Sequence, residues 1–380
     1  MRAARSKAKA LRVAETGPSA PSASTTKARR GLEPVRVPTP TPVIRPGRLA
    51  ALARALRGRR VTIVGDLVLD RYWVGRSSRI SREAPVLILD FEEERVVPGG
   101  AANAAVNVRS LGGVARLVGR VGGDPAGRDL KQALRDAGVD ARFVSRDPAS
   151  GTVVKTRVLA GSSHASRQQI VRLDRGKKAP LAEAASRALA RAVERAIKGS
   201  DAVLLSDYGY GLLGPELKRR ALAAATAASV PVIVDSRYGL RSFRGATLLT
   251  PNEHEVAEAF HLASLDLGSL KRAGEELRRA AGAEAVWITR GSDGMLVFEK
   301  GRPARIVPIV GSSDVADVTG AGDAVSAAAA LALAAGATQI EAALLATYAA
   351  SVVVMKRGTA TVSSSELLAS LEAHPTPRIR

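Results

Sequence analysis

One acidic residue follows three small residues in the stretch DVTGAGDAVSAAAALALAAGA, which begins at Asp317. Gly320, Ala321 and Gly322 precede Asp323, and the alanine-rich run after them predicts a helix. A helix start presents unpaired backbone N–H groups and the positive end of the helix dipole, so it attracts anions. A phosphoryl group could rest there while Asp323 takes a proton from an attacking hydroxyl. Taken alone, the stretch is more typical of a tight turn before an ordinary helix, with Asp323 as a partner of the helix dipole.

The chain around this motif alternates short apolar runs with helical segments from residue 61 onward. VTIVGD, AVLLSD, VPVIVD, ATLLTP and AVWITRG predict strands, and LAEAASRALARAVERAIKG predicts a helix. Such alternation is typical of parallel strands joined by crossover helices, so we predict a doubly wound α/β fold. Residues 71–98 and 152–173 interrupt the alternation and predict a small, separate β-sheet.

The first 45 residues have a different composition from the rest. They are rich in Pro, Ser, Thr and Ala, and their ten basic and two acidic residues carry +8 of the formal net charge of +21. We predict a disordered basic tail over residues 1–45, with an organellar transit peptide as the alternative. We predict a folded domain over residues 46–372 and a short C-terminal tail over residues 373–380.

Composition excludes several classes of site. The chain has no cysteine, which rules out disulfides, thiolate metal sites and a cysteine nucleophile, and it has only four histidines. No apolar run approaches the roughly 18 residues of a membrane span, so we expect a cytoplasmic protein without a membrane. The basic domain suits polyanionic small substrates, and a nucleic acid is the alternative partner.

Five further motifs precede the acidic one in a fixed order. They are GDLVLDRYW, RISREAPV, PGGAANAAVN, TPNEHE and ITRGSDG. Together with DVTGAGD they resemble the ribokinase-like (PfkB) family of sugar kinases over about residues 61–362. KTRVLAGSSHASRQQIVRLD and LSDYGYG are similar to one branch, the kinase domain of the bifunctional heptose 7-phosphate kinase and ADP-heptose synthase.

The resemblance implies a fold, a reaction and its machinery. The fold would be a doubly wound, mostly parallel sheet flanked by helices, with the small β-sheet as a lid, and the reaction would be ATP-dependent phosphorylation of a sugar hydroxyl. Asp323 would be the base, and the amides of Gly320, Ala321 and Gly322 the anion hole. The implied nucleotide-side residues are Asn252, Glu255, Thr289, Gly291, Gly294 and Thr319.

The resemblance also implies metal and sugar contacts. Asn252 and Glu255 would organise Mg²⁺, largely through water. Asp317 lies where relatives bind a monovalent cation such as K⁺. The implied contacts to the sugar and to its distal phosphate are Asp70, Gly99, Gly100, Asn103, Lys155, Arg157, Gln169 and Arg172.

The branch implies a specific acceptor and partners. The acceptor would be D-glycero-D-manno-heptose 7-phosphate, phosphorylated at its anomeric hydroxyl to the 1,7-bisphosphate for ADP-heptose synthesis; a kinase for another sugar is the alternative. We expect a homodimer through the lid. None of the histidines forms a His-x-Gly-His motif, so we expect a separate nucleotidyltransferase for the adenylyl transfer of the pathway.

Two features of the sequence depart from this pattern. Tyr210 and Arg237 stand in segments where the branch has DYxKG and DPKG, and Thr347 replaces an asparagine at the adenine end. GYGLLG, with Asp235 at the end of VIVD, suggests a dinucleotide-binding alternative. Pro215 fits the first helical position, however, and this places the helix start beyond the third glycine.

Overall fold

Nine strands form the main sheet in the described part of the chain. Their order is β13-β12-β11-β10-β9-β8-β1-β4-β5, and all neighbours from β11 to β5 are parallel, whereas β11–β12 and β12–β13 are antiparallel. The strands are β1 Arg60–Gly65, β4 Val114–Gly122, β5 Asp140–Asp147, β8 Ala202–Asp207, β9 Val232–Ser236, β10 Leu248–Leu249, β11 Ala285–Thr289, β12 Met295–Glu299 and β13 Arg305–Val307.

This computed structural model describes residues 44–161, 167–176, 178, 181–312 and 315–380. Apart from residues 44 and 45, the predicted basic tail lies outside the described residues. In the described part, no helix is both long enough and apolar enough to cross a membrane.

Four further strands form the predicted small sheet, which we call the lid. Its order is β3-β2-β6-β7, with β2 and β6 parallel and the outer pairs antiparallel. The strands are β2 Leu67–Ile80, β3 Leu87–Gly100, β6 Val153–Gly161 and β7 Gln168–Arg175. The sequence prediction of a doubly wound sheet with a small β-sheet is therefore confirmed.

Ten α-helices flank the main sheet within the described residues. They are α1 Arg48–Ala55, α2 Ala101–Ser110, α3 Pro125–Asp136, α4 Glu183–Ile197, α5 Pro215–Ala227, α6 Glu253–Phe260, α7 Leu267–Ala281, α8 Ala321–Ala334, α9 Gln339–Val353 and α10 Ser364–Ala373. Helix α5 begins at Pro215, as the sequence predicts, so the glycines of GYGLLG lie in a loop before it.

Alternate residues of the central strands pack into two different cores, one on each face of the main sheet. Ile63 and Ile233 pack into the core that includes α8 and α9, whereas Val64 and Val234 pack into the core that includes α4 and α5. This period of two is the geometry of a strand that is buried on both faces.

The chain reverses its direction across the sheet at β1. Strands β4 and β5 are added on one side of β1, and β8 to β11 are added on the other. In open α/β sheets, ligands bind beyond the carboxyl ends of the strands at such a switch point. A site is therefore expected at the ends of β1, β8 and β9.

The last residues of the chain return to the edge of the main sheet. Residues 373–380 are a C-terminal tail in our prediction, yet Arg380 and Ile306 exchange both backbone hydrogen bonds, at 3.0 and 2.7 Å. Ile379 is buried. This segment therefore packs against the folded domain.

Gly65 at the end of β1 provides a test of this packing. A Cβ atom there would lie 2.0 Å from the Ser206 carbonyl oxygen of β8 and 2.9 Å from the Ala101 side chain. We expect Gly65→Ala to lower the free energy of unfolding by about 3 kcal/mol, because the clash involves backbone that cannot move aside. Urea denaturation would measure it, with Gly214→Ala as the control because nothing lies within 4 Å of its Cβ position. Equal stability of the two variants would contradict this account.

Candidate active site

A cavity of about 440 Å³ lies between the lid and the carboxyl ends of β8 and β9. It receives side chains from the lid, from strand ends and from the starts of α6 and α8. The residues that line it include Asp70, Gly100, Lys155, Arg157, Arg172, Asp207, Tyr208, Asp235, Arg237, Asn252, Glu255, Thr289, Thr319, Gly320, Gly322, Asp323 and Thr359.

Asp323 lies buried in the first turn of α8 and faces this cavity. Asn103 of α2 donates a hydrogen bond to its Oδ2 at 2.7 Å, and the Tyr208 hydroxyl donates to its Oδ1 at 2.9 Å. Burial and the nearby Asp235 raise the pKa of Asp323 to about 7, although these two hydrogen bonds favour the ionised form. A carboxylate with such a pKa is suited to accept a proton near neutral pH.

The start of α8 is shaped by small residues. Gly320 has a φ of 85°, which favours glycine, and a Cβ atom there would lie 2.9 Å from the Asn103 amide nitrogen. No side chain caps the helix, and at Gly322 the nearest atom to an added Cβ is 3.9 Å away. The N–H of Ala321 donates to the Val318 carbonyl at 3.2 Å. Of the three predicted amides, the Ala321 amide is therefore already engaged in a turn.

Asn252 and Glu255 form a capping box at the start of α6. The Glu255 N–H donates to the Asn252 side chain at 2.9 Å, and the Asn252 N–H donates to Glu255 Oε2 at 2.8 Å. This explains the spacing of the two residues, and it orients both side chains at the cavity wall.

The wall beside this capping box carries excess negative charge. Burial and the neighbouring Asp235 raise the pKa of Glu255 to about 7, and burial raises the pKa of Asp235 to about 6. Two carboxylates in this state are suited to face a cation. In the described residues no group of three or more acidic, His or Cys side chains could hold a metal ion by itself.

Asp70 is held at the base of the lid by two residues distant in sequence. Arg157 of β6 forms an ion pair with its Oδ1 at 2.6 Å, and Thr359 donates to its Oδ2 at 2.9 Å. A Cβ atom at Gly99 would lie 2.4 Å from Asp70 Oδ2, so this glycine makes room for the carboxylate. Gly100, with a φ of 59°, ends β3 at the start of α2.

Some predicted residues lie outside this cavity. Gln169 and Asp317 line a second cavity of about 500 Å³, whose wall shares Arg157 and Thr359 with the first. Gly291 and Gly294 lie in the turn between β11 and β12 and line neither cavity.

Asp317 organises the segment that leads to α8. Its Oδ1 accepts from the N–H and hydroxyl of Thr319, and its Oδ2 accepts from the N–H of Gly358. Burial alone would raise the pKa of Asp317, but these hydrogen bonds outweigh it and the pKa is lowered. Asp317 is therefore ionised, and both of its oxygens already accept hydrogen bonds at the place where the resemblance implies a monovalent cation.

Sequence reasoning missed several residues of the site. Tyr208, Arg237 and Thr359 line the cavity, and the Asp66 carboxylate accepts the backbone N–H groups of Tyr208, Tyr210 and Leu212. Ligands of open α/β sheets bind beyond the carboxyl ends of the strands at a switch point, and this rule could have indicated Asp66, Asp207 and Asp235. No sequence signal indicates Thr359, which follows α9.

Comparison with known proteins shows the family of this chain. The profile of the pfkB family carbohydrate kinases matches residues 59–366. The bifunctional protein HldE of Caulobacter vibrioides is 42% identical over 324 residues, which are 84% of this chain and 65% of that protein. HldE of Gluconobacter oxydans is 42% identical over 311 residues, 81% of this chain and 63% of that protein. The chain thus spans slightly under two thirds of the length of these relatives.

Solved structures share the fold. Arabidopsis thaliana ribokinase, complexed with ribose and ATP, has a TM-score of 0.64 at 21% identity and covers 83% of this chain and 99% of its own. Escherichia coli phosphofructokinase-2, in complex with substrates and products, has a TM-score of 0.66 at 22% identity, with the same coverage.

The fold and the site define a phosphotransferase that acts on a sugar hydroxyl. The chain belongs to the pfkB family of carbohydrate kinases. The dinucleotide-binding and nucleic-acid alternatives are therefore set aside as the main activity.

The burial of the Asp323 carboxyl group should make the stability of the protein depend on pH. Because its pKa in the folded protein, about 7, is above the ordinary value, the folded state binds a proton more tightly than the unfolded chain. Its contribution to stability is therefore greatest below pH 4 and is lost as pH rises towards 7. At pH 8 we expect the free energy of unfolding of Asp323→Asn to exceed that of the parent by roughly 2 kcal/mol. The full pKa shift, at about 1.4 kcal/mol per pKa unit, would give a larger difference.

Urea denaturation of both proteins at pH 4.5 and pH 8 would measure this difference. Exposed Asp136→Asn on α3 is the matched control, for which the difference should stay near zero. A stability difference between Asp323→Asn and the parent that does not change with pH would contradict the buried-charge account.

Proposed function

We propose that the chain transfers the γ-phosphoryl group of ATP to the anomeric hydroxyl of D-glycero-D-manno-heptose 7-phosphate. The products are the 1,7-bisphosphate and ADP. The relatives named bifunctional HldE at 42% identity support this acceptor, and ADP-heptose synthesis is the corresponding pathway role. The observation that carries the proposal is the placement of Asp323 at an uncapped helix start, in one cavity with the cations of the lid.

In this reaction the sugar hydroxyl loses its proton to Asp323 as the bond between the sugar oxygen and the γ-phosphorus forms. The bond between that phosphorus and the ADP oxygen breaks, and ADP carries away the electron pair. Asn103 and Tyr208 hold the carboxylate in place for the transfer, because each donates to a different oxygen. Asp70, held by Arg157 and Thr359, is positioned to accept hydrogen bonds from sugar hydroxyls.

The nucleotide phosphates would lie between the start of α8 and the wall of Asp235, Asn252 and Glu255. Gly322 has no side chain of its own, so its amide can offer a donor to a phosphate at the start of α8. When bound, Mg²⁺ neutralises phosphate charge, and Asn252 and Glu255 are the residues that would hold it, through water. Thr289 and Thr319 line the same cavity, and a monovalent cation beside Asp317 would further order the 317–319 segment.

The proposed setting is cytoplasmic, where ATP and sugar phosphates occur. A nucleotidyltransferase activity, the other activity implied by the resemblance to the bifunctional branch, would act later in ADP-heptose synthesis, after the 7-phosphate has been removed. We attribute to this chain only the kinase step.

Turnover tests the reaction and the acceptor together. With Mg-ATP, we expect ADP release in the presence of heptose 7-phosphate and little release with sedoheptulose 7-phosphate, fructose 6-phosphate, ribose or adenosine. Asp323→Asn should lower kcat by at least about 1,000-fold, because the loss of the base removes proton transfer and its positioning.

The exposed Asp136→Asn variant is again the control and should keep full turnover. Turnover on another sugar of the panel would retain the kinase and reject the heptose. Near-normal kcat for Asp323→Asn would reject Asp323 as the base.

We further propose that two copies of the chain associate through the lid. Its strands expose large apolar side chains to solvent, a liability for an isolated sheet. These side chains are Ile80, Leu87, Phe91, Ile170, Val171 and Leu173.

Light scattering should give twice the chain mass for the parent. Phe91→Asp, at a side chain that is 66% exposed, should give the monomer mass, because a charge would be buried at the interface. Arg187→Ala on α4 serves as a control away from the lid. A monomer mass for the parent would reject lid-mediated association.

A further inference from the structure

A buried carboxylate outside the cavity of Asp323 holds the loop that carries Tyr208. Asp66 lies between β1 and β2, retains only 4% exposure and does not line that cavity. Its Oδ2 accepts the N–H groups of Tyr208 at 3.0 Å and of Tyr210 at 2.9 Å, and its Oδ1 accepts the N–H of Leu212 at 3.2 Å. Three alternate N–H groups of one loop therefore converge on one carboxylate.

The loop that Asp66 holds is rich in glycine. It joins β8 to α5, and Gly209 and Gly211 within it have φ values of 78° and 93°, which favour glycine. Glycine has more conformational freedom than any other residue, so the position of Tyr208 depends on what binds the backbone around it. Hydrogen bonds to an ionised carboxylate are about twice as strong as neutral ones, so Asp66 is well suited to this task.

The backbone of Asp66 is itself fixed by two neighbouring elements. Its N–H donates to the Ser206 carbonyl of β8 at 3.1 Å, and its carbonyl accepts the N–H of Ala101, the first residue of α2, at 3.0 Å. These backbone bonds do not involve the side chain. A substitution at residue 66 therefore tests the carboxylate while its anchoring points remain.

We propose that Asp66 is a positioning residue for phosphoryl transfer, because its carboxylate fixes the loop that brings the Tyr208 hydroxyl to Asp323. Asp66 contacts neither ligand and acts through Tyr208. The proposal rests on the proposed function, in which Asp323 is the base.

Tyr208 links the loop to the base. Its hydroxyl donates to Asp323 Oδ1 at 2.9 Å, and this hydrogen bond favours the ionised carboxylate, so its loss would raise the pKa of Asp323. Other charged groups face Asp323 or the Tyr208 ring from the lid and from the end of β9, and they are Asp70, Lys155, Asp235 and Arg237. They are common to the parent and to the variants below, so a difference between these proteins reports on the hydrogen bond.

The charged groups around Asp66 are themselves paired. Burial and the nearby Asp207 raise the pKa of Asp66, while the three N–H groups favour its ionised form. Asp207 forms an ion pair with Lys218 at 3.1 Å. Arg120, which lines a small cavity with Asp66, forms an ion pair with Asp147 at 3.3 Å. The loop N–H groups are therefore the partners that the Asp66 carboxylate serves.

Steady-state kinetics of Asp66→Asn with Mg-ATP and heptose 7-phosphate would test the proposal. Asparagine is close to isosteric, but its N–H2 group would face a backbone N–H, so the loop is held less well. We expect kcat to fall about 10-fold with both KM values changed less than about 2-fold, because the base is misplaced while the ligand contacts remain. The acid limb of the kcat profile should move up by about 1 pH unit, because a weaker hydrogen bond raises the pKa of the base. Asp66→Ser, which adds no bulk, is a second variant with the same expected direction.

A double-mutant cycle tests whether Asp66 acts through Tyr208. Tyr208→Phe alone should lower kcat about 10-fold, and Asp66→Asn added to it should lower kcat less than about 2-fold further. Additive losses, about 100-fold in the double variant, would overturn the proposal. Asp201→Asn is the matched control, because Asp201 also accepts a backbone N–H, that of Arg60 at 2.8 Å, but at the opposite end of β1. Its kcat should equal that of the parent.

The pH dependence of stability gives a readout that needs no turnover. Urea denaturation at pH 4.5 and pH 8, with and without Asp323→Asn in each background, reports the shift in the pKa of Asp323 in the folded protein. We expect this pKa to be about 1 unit higher in Asp66→Asn and in Tyr208→Phe than in the parent, and no higher in the double variant.

These measurements distinguish the failure of the two proposals. Absence of turnover with every sugar, together with a raised pKa of Asp323 in Asp66→Asn, would reject the heptose reaction and keep the positioning role of Asp66. An unchanged pKa of Asp323 in Asp66→Asn and Asp66→Ser would overturn that role, whatever the acceptor is.

Discussion

The structure depends on supplying hydrogen-bond partners to one carboxyl group inside a largely buried site. Asp323 receives hydrogen bonds from Asn103 in α2 and from Tyr208 after β8, so three separate elements meet at its two oxygens. Tyr208 is itself fixed because Asp66 accepts the N–H groups of its loop. Misplacing any of these elements would leave a buried charge without partners, which is among the most costly defects in a protein interior.

The lid is attached to the main domain by a second polar network. Arg157 and Thr359 each donate to the Asp70 carboxylate, and the Thr359 N–H donates to the Tyr72 hydroxyl at 2.8 Å. The same segment is linked through Gly358 to Asp317, and thus to the loop that begins α8. Hydrogen bonds therefore connect the lid strands to the start of α8, which carries Asp323.

Opposite charges are divided within the cavity. Burial raises the pKa of Asp235, Glu255 and Asp323 on the side of the main sheet, and Asp235 further raises the pKa of the other two. Lys155, Arg157 and Arg172 line the cavity on the side of the lid, whereas Arg237 lies beside the acids and lowers the pKa of Asp235 and Glu255. This separation is unfavourable in the free protein and is suited to ligands that carry both a metal-bound polyphosphate and a second anion.

Local sequence patterns predict much of the fold and several residues of the site. Periods of two and 3.6 predict the alternating strands and helices, Pro215 marks the start of α5, and the small residues before Asp323 indicate an anion-binding helix start. The predicted residues Asp70, Lys155, Arg157, Asn252, Glu255 and Asp323 line one cavity, although they are spread over some 250 positions. These features are readable because each depends on a few consecutive residues.

Only the tertiary structure decided which residues complete the site. Thr359 and Tyr208 become partners of Asp70 and Asp323 through contacts between segments more than 100 positions apart. Gln169 and Asp317 line the neighbouring cavity, and Gly291 and Gly294 shape a turn away from both. Spacing in sequence cannot specify these outcomes, because the direction of a side chain depends on how sheets and helices pack around it.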